Sequence, residues 1–274
     1  MFHYVSKKTE LEKSLSLATD SFNDFLTGRT ETQFLSIKDI RGELVELNTS
    51  FSVDMYHSLL KYAMMGTLTE IENGDSDVGE IVERYGLVLV PDEEQTLDIP
   101  EYWRWVRLQG LCQYVQRGKS PKYSKIEKIP VIAQKCNQWS GVQLEKAQFI
   151  VPETLSFYTE ERRLRDEDIL INSTGLGTVG RCAIYPAASI PYGIAVAVSH
   201  VTVVRLKKEI ILPQFFYYWC NLSVQDLIKS QTTGSTKQKE LGITTVRNYV
   251  VPLPPIEEQM KIIEKLDRMI PMVN

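Results

Sequence analysis

Asp168-Ile169-Leu170-Ile171-Asn172-Ser173-Thr174-Gly175-Leu176-Gly177-Thr178-Val179-Gly180-Arg181-Cys182-Ala183-Ile184-Tyr185 is the stretch that decides the fold. It contains a literal GxGxxG after a strand-like run. In a dinucleotide fold the third glycine opens a helix whose N-terminus meets the pyrophosphate. Here Arg181 to Tyr185 is strand-like instead and ends at Pro186. No acidic residue falls between Gly180 and Glu209, where a ribose-binding carboxylate belongs. The pattern predicts a strand, a glycine-rich turn and a second strand. The amides around Gly175, with Ser173, Thr174 and Thr178, are then candidates to face a phosphate or base edges.

Outward from this unit, the strand-like segments are Phe149 to Val151 and Val198 to Leu206, with aromatic and β-branched residues alternating with Arg from Ile99 to Leu108. One helix is predicted from Pro213 towards Leu222 and another from Val224 to Lys229. The class is therefore α+β: a mixed, strand-rich domain over residues 99–252, flanked by amphipathic helices. N-terminal to it lie a helical region, 1–70, and an acidic connector, 71–98. In the first, Leu11, Leu15, Ala18, Phe22, Phe25 and Leu26 form one helical stripe; a second helix follows Ser52 and stops at Gly66. Residues 253–274 begin a C-terminal helix after the proline-locked Val251-Pro252-Leu253-Pro254-Pro255, with Ile263, Leu266, Ile270 and Val273 on one face.

The 274 residues carry a net charge of −4, but the charge is unevenly spread. Residues 1–111 hold 10 basic against 20 acidic side chains, residues 112–250 hold 18 against 11, and residues 251–274 hold 3 against 4. A middle of net +7 between acidic ends points to an anionic partner for the middle and protein contacts for the ends. No apolar run is long enough for a transmembrane helix and the N-terminus has no signal-like stretch, so no membrane association and a cytoplasmic location are expected. Cys112, Cys136, Cys182 and Cys220 are scattered without a CxxC pair, which suits reduced thiols and argues against a metal site.

Catalytic constellations are missing. No Lys has an acidic residue two positions before it, and neither a GxSxG elbow nor a Walker A loop occurs. No catalytic residue, metal or cofactor is therefore assigned. His200, inside the apolar run Val196 to Val204, is expected to be buried. Asp166-Glu167-Asp168, after Arg162, Arg163 and Arg165, is read as a turn with local ion pairs.

Two polar loops suit nucleic acid. The first is basic with an aromatic inside it, and its candidate contacts are Arg117, Lys119, Ser120, Lys122 and Tyr123. The second offers Ser235, Thr236, Lys237, Gln238 and Lys239. Lys and backbone amides suit phosphate, and Gln can pair with an adenine edge.

From Met55 to Met269 the chain resembles the specificity subunit of type I restriction–modification systems. Leu59 to Thr69 is similar to the family's helix end before a target recognition domain, and Ile99 to Leu108 to that domain's opening. Asp168 to Gly175, through Gly177, Gly180 and Arg181, resembles its central motif. Gly234 to Gln238 resembles its late polar loop, and Val251 to Gln259 the exit into a conserved helix. The resemblance implies a non-catalytic reader of double-stranded DNA within a complex. Partner modification subunits would carry S-adenosylmethionine and methylate adenine, and a restriction subunit would join through the complex. Leu59, Leu60, Ile263, Leu266 and Ile270 are the residues expected to dock subunits, a second copy of this chain included. One recognition domain stands where the family has two, as in a half-length, truncated or naturally shortened subunit. Two other classes compete: a self-contained DNA-modifying enzyme with an unrecognised site, and a protein-binding scaffold without DNA contact.

Overall fold

The structure, a computed structural model, describes residues 6–10, 13, 53–69, 78–230 and 240–272. The whole stripe from Leu11 to Leu26, the first part of the connector, Val273 and the whole Ser235–Lys239 group lie outside the described residues. The chain divides at Lys61/Tyr62 and at Lys265/Leu266 into two units. In the smaller unit, residues 6–10, 13 and 53–61 are helical. The larger, Tyr62–Lys265, contains all the strands found among the described residues.

Helix α1, residues 53–64, stops where the sequence indicates. Gly66 takes φ +69° there, and a Cβ on it would lie 2.5 Å from Cγ of Pro100. The expected connector holds more structure than its acidity advertises. Helix α2, Val78–Tyr85, repeats Val78, Ile81, Val82 and Tyr85 at spacings of three and four. After it, Val90 N donates to Trp105 O (3.0 Å) and Arg107 N to Val88 O (3.1 Å). The connector thus adds an edge to the domain.

The strands in chain order are β1 Arg104–Arg107, β2 Cys112–Arg117, β3 Tyr123–Ser124, β4 Pro130–Ile132, β5 Asn137–Gln138 and β6 Gly141–Val142. They continue as β7 Gln148–Ile150, β8 Ile169–Asn172, β9 Cys182–Ile184, β10 Val196–Ala197, β11 Val201–Leu206 and β12 Val250–Leu253. One four-stranded sheet runs β2-β11-β8-β9, antiparallel throughout. A second runs β10-β4-β7-β3, with β10 and β4 parallel. β5 pairs with β6, and β1 with β12. The fold is α+β, with a strand-rich centre and helices to either side in sequence.

Leu170 lies opposite Val203 in the β8–β11 register, and both share one core with Val131, Ile132, Ile150, Val196 and Ala197 of the second sheet. Ile169 and Ile171 point to the opposite face by the period-two rule and are equally buried. Cover on both faces is why β8 and β11 read as near-continuous apolar runs rather than alternating ones.

Helix α3, Pro213–Ser230, packs across β9 as one continuous helix, where the sequence suggested two. The expected break falls at Ser223, whose hydroxyl donates to Trp219 O (2.9 Å), a bond back along the helix that leaves it intact. Trp219 anchors the helix: its indole N–H donates to Val250 O (2.9 Å), and its ring meets Trp105 edge-on at 5.5 Å. A short helix α4, Ile243–Arg247, leads into β12, and α5, Ile256–Met269, follows it.

The buried face of α5 is Glu258, Gln259, Ile262 and Leu266, so the expected apolar stripe is corrected by one position. Pattern reading followed apolar residues only, whereas two polar ones are buried here with partners. Gln259 accepts from Leu212 N (2.8 Å) and donates to Ile210 O (3.0 Å) and Pro254 O (2.9 Å). Of the five residues expected to dock subunits, Leu59, Leu60 and Leu266 are already buried within the chain. Only Ile263, and Ile270 in a 3₁₀ turn beyond α5, keep accessible surface.

The acidic triplet is corrected too. Asp168 and Glu167 pair not with the preceding arginines but with Arg205 of β11 and with Lys208 after it. Arg205 binds Asp168 through Nε (2.8 Å) and Nη2 (2.7 Å), and Arg165 N adds a third bond to the carboxylate (2.8 Å). Burial raises the Asp168 carboxyl above the usual range, against the pull of Arg205. This group is a buried brace of the sheet.

Candidate nucleic-acid interface

β2 and β8 both run antiparallel to β11, so their C-terminal ends meet at its N-terminal end. Three loops therefore leave the sheet from one edge: the chain after Arg117, the glycine-rich turn after Asn172, and the turn before Val201. Gly118 lets the first approach the third. A Cβ on it would sit 2.0 Å from Ala197 O and 2.4 Å from Val198 O. Beyond it, Ser120 Oγ lies 3.3 Å from Ser199 Oγ, and His200 Nδ1 lies 3.0 Å from Thr174 Oγ1. Gln134, beyond β4, extends the row, its amide donating to Thr174 O (2.6 Å) and Oγ1 (3.0 Å).

The structure thus brings Arg117, Lys119, Ser120, Thr174, Gly175 and Thr178 to one edge. Lys122 and Tyr123 are exposed where the same loop continues into β3. Lys119 Nζ donates to Phe157 O (2.7 Å), and the Phe157 ring beside it is exposed. Arg117 donates to Leu241 O (2.8 Å) and pairs with Glu240 at 2.6 Å, so residues 240 and 241 lie at this edge.

Ser173 is corrected. It is 0% exposed, and its hydroxyl lies 2.5 Å from that of Thr202. A side chain so enclosed holds β8 to β11 and presents nothing to a ligand. Below it Asn137 is fully buried, donating to Leu170 O (2.9 Å), Arg181 O (3.1 Å) and Asn172 Oδ1 (3.1 Å). These buried amides hold the base of the turn.

Sequence reading missed Gln134, Ser199 and His200. His200 is corrected from buried to exposed: the apolar run is two strands, β10 and β11, and His200 occupies the turn between them. The signal was available in Ser199-His200, a polar pair interrupting valines on either side. The glycine-rich turn is as predicted: Gly175, Gly177 and Gly180 have φ of +109°, +71° and +81°, and β9 rather than a helix follows.

Residues 100–272 match the family of type I restriction modification DNA specificity domains. The chain belongs to this family. Two curated relatives come from Escherichia coli. The type I restriction enzyme EcoBI specificity subunit is 31% identical over 107 residues, 39% of this chain and 21% of that protein. The EcoAI specificity subunit is 23% identical over 257 residues, 82% of this chain and 41% of that one. Among solved structures, one concerned with complex assembly and conformational transition of the type I R-M system aligns with a TM-score of 0.55 at 18% identity. It covers 87% of this chain and 50% of its counterpart. The HsdS subunit of Thermoanaerobacter tengcongensis aligns with a TM-score of 0.51 at 19% identity, covering 87% and 49%. These last two likenesses show the fold. The chain spans half or less of the length of each of these relatives.

Within this specificity-domain chain, no described helix is long and apolar enough to cross a membrane. All four cysteines are free thiols, three of them buried.

Proposed function

We propose that this chain is the DNA-reading component of a cytoplasmic type I restriction–modification complex. The observation that carries the reading is the convergence of three loops at one sheet edge within the segment of net +7. Lys119, Lys122 and backbone amides of that edge neutralise phosphates, which supplies affinity without sequence preference. Discrimination comes from side chains that bond base edges, a role for which the amide of Gln238 is chemically suited. The chain itself is non-catalytic and holds no cofactor. Its modification subunits carry S-adenosylmethionine, and the restriction subunit joins through the complex.

The test is co-expression of the full chain with its modification subunit, followed by sequencing of methylated adenines in the host DNA. Methylation at one defined sequence, present only when both components are, is the expected result. Methyl transfer or cleavage by the pure chain would overturn the non-catalytic reading. Failure to bind any duplex or to co-purify with the modification subunit would overturn the DNA-reading role.

A further inference from the structure

In the turn from Thr174 to Gly180, the polar side chains are spent on the protein itself. The Thr174 hydroxyl is engaged by Gln134 and His200, and the Thr178 hydroxyl donates to Thr174 O (3.3 Å). Arg181 donates to Gln138 Oε1 (2.5 Å) and Gly177 O (3.2 Å). The backbone is held as well. Thr178 N and Val179 N both donate to Gly175 O at 3.1 Å, and Gly180 N donates to Asn172 O at 2.8 Å. Gly180 is pressed against α3, where a Cβ would lie 2.4 Å from Cδ1 of Ile228. What this braced turn presents outward is Leu176, 94% exposed between two glycines of positive φ.

A lone exposed leucine on a protein surface is ordinary. This one is set apart by its mounting, a fixed tip on a hydrogen-bonded turn that leaves the same sheet edge as the polar loops after β2 and before β11. Leucine has nothing to donate or accept. The base-edge feature it can recognise is the 5-methyl group of thymine, the apolar element of the major-groove pattern. We infer that Leu176 reads a thymine in the target through that methyl group. The inference rests on the DNA-reading role proposed above and names one of its specificity-determining residues. The hydroxyls of Thr174 and Thr178 then brace the turn rather than contact bases.

The test uses the full chain with its modification subunit and a duplex bearing the methylated sequence. Each thymine is replaced in turn by deoxyuridine, which removes the methyl group and nothing else. At one position the parent complex should bind the uracil duplex roughly three- to tenfold more weakly. The Leu176→Ala complex should bind the thymine duplex more weakly by a similar factor and be indifferent to uracil at that position. Leu176→Met should retain most of the preference, and the salt dependence should match the parent's in every variant. Parent and Leu176→Ala complexes responding alike to uracil at all positions would overturn the inference while leaving DNA reading intact. So would altered bending of the DNA without a uracil effect, the sign of a wedge between base steps. Loss of co-purification with the modification subunit and unchanged DNA preference would make Leu176 a protein contact, which also overturns it.

Discussion

Glu258 Oε2 accepts a 2.8 Å hydrogen bond from the indole Nε1 of Trp103, across 155 residues of sequence. The same carboxylate receives Tyr102 Oη (3.1 Å) and Thr69 Oγ1 (2.5 Å). It lies in the first turn of α5, where negative charge is also favoured by the helix dipole. The stretch that opens the strand-rich domain is thereby tied to the helix that leaves it. Glu258→Ala strands a buried indole N–H and should cost about 2–4 kcal/mol. Glu258→Gln keeps an acceptor and should cost less. Urea denaturation of both variants checks this, and an alanine variant as stable as the parent would refute the latch.

Arg205 and Asp168 form a buried pair in which removing one partner is worse than removing both. Arg205→Met should destabilise by about 3–5 kcal/mol at neutral pH, and Asp168→Leu/Arg205→Met by less. The Asp168 carboxyl is already raised by burial, and loss of Arg205 raises it further. A carboxyl raised in the folded state contributes stability below its unfolded pKa and loses it as pH rises through the folded value. The deficit of Arg205→Met relative to the parent should therefore shrink as pH falls from 8 to 5. Thermal melts across that range decide it; a pH-independent deficit contradicts the assignment.

Gly118 is the point of closest backbone approach at the candidate interface. Its amide donates to Val201 O (3.0 Å), and the next donates to Ala197 O (3.1 Å). Gly118→Ala should force these strands apart, at a cost of roughly 2–3 kcal/mol. Hydrogen exchange at the Lys119 amide should accelerate by more than in a surface control such as Glu153→Ala. Equal exchange in the two variants would show that the loop yields without strain.

Lys122 is exposed on the basic loop. Lys122→Ala should weaken binding to specific and unrelated duplexes alike and lower the salt slope by about one unit. Sequence-selective weakening would instead place Lys122 at a base edge.

Local pattern was sufficient for α1, for the strand–turn–strand unit of β8 and β9 and for the helix that follows the last proline-rich run, but not for α2 or for the continuity of α3. Gly66 ends α1 because its conformation and the space beside it admit no side chain, and the glycines at 175, 177 and 180 announce a turn between two strands. Those are short-range steric demands, written in the residues that meet them. Segment charge likewise marked residues 112–250, since it depends on composition alone.

Which residues face outward was a different matter, because exposure is set by partners far away in sequence. Ser173 belongs to Thr202, 29 residues on, and Thr174 to His200 and Gln134. Asp168 passes over its neighbouring arginines for Arg205 because β8 and β11 are adjacent strands. α5 buries Glu258 and Gln259 where an apolar stripe was expected, because indole and peptide groups wait there to be satisfied. Periodicity registers how often an apolar residue recurs. It carries no information about which polar group will find a partner, and only the packed sheets supply one.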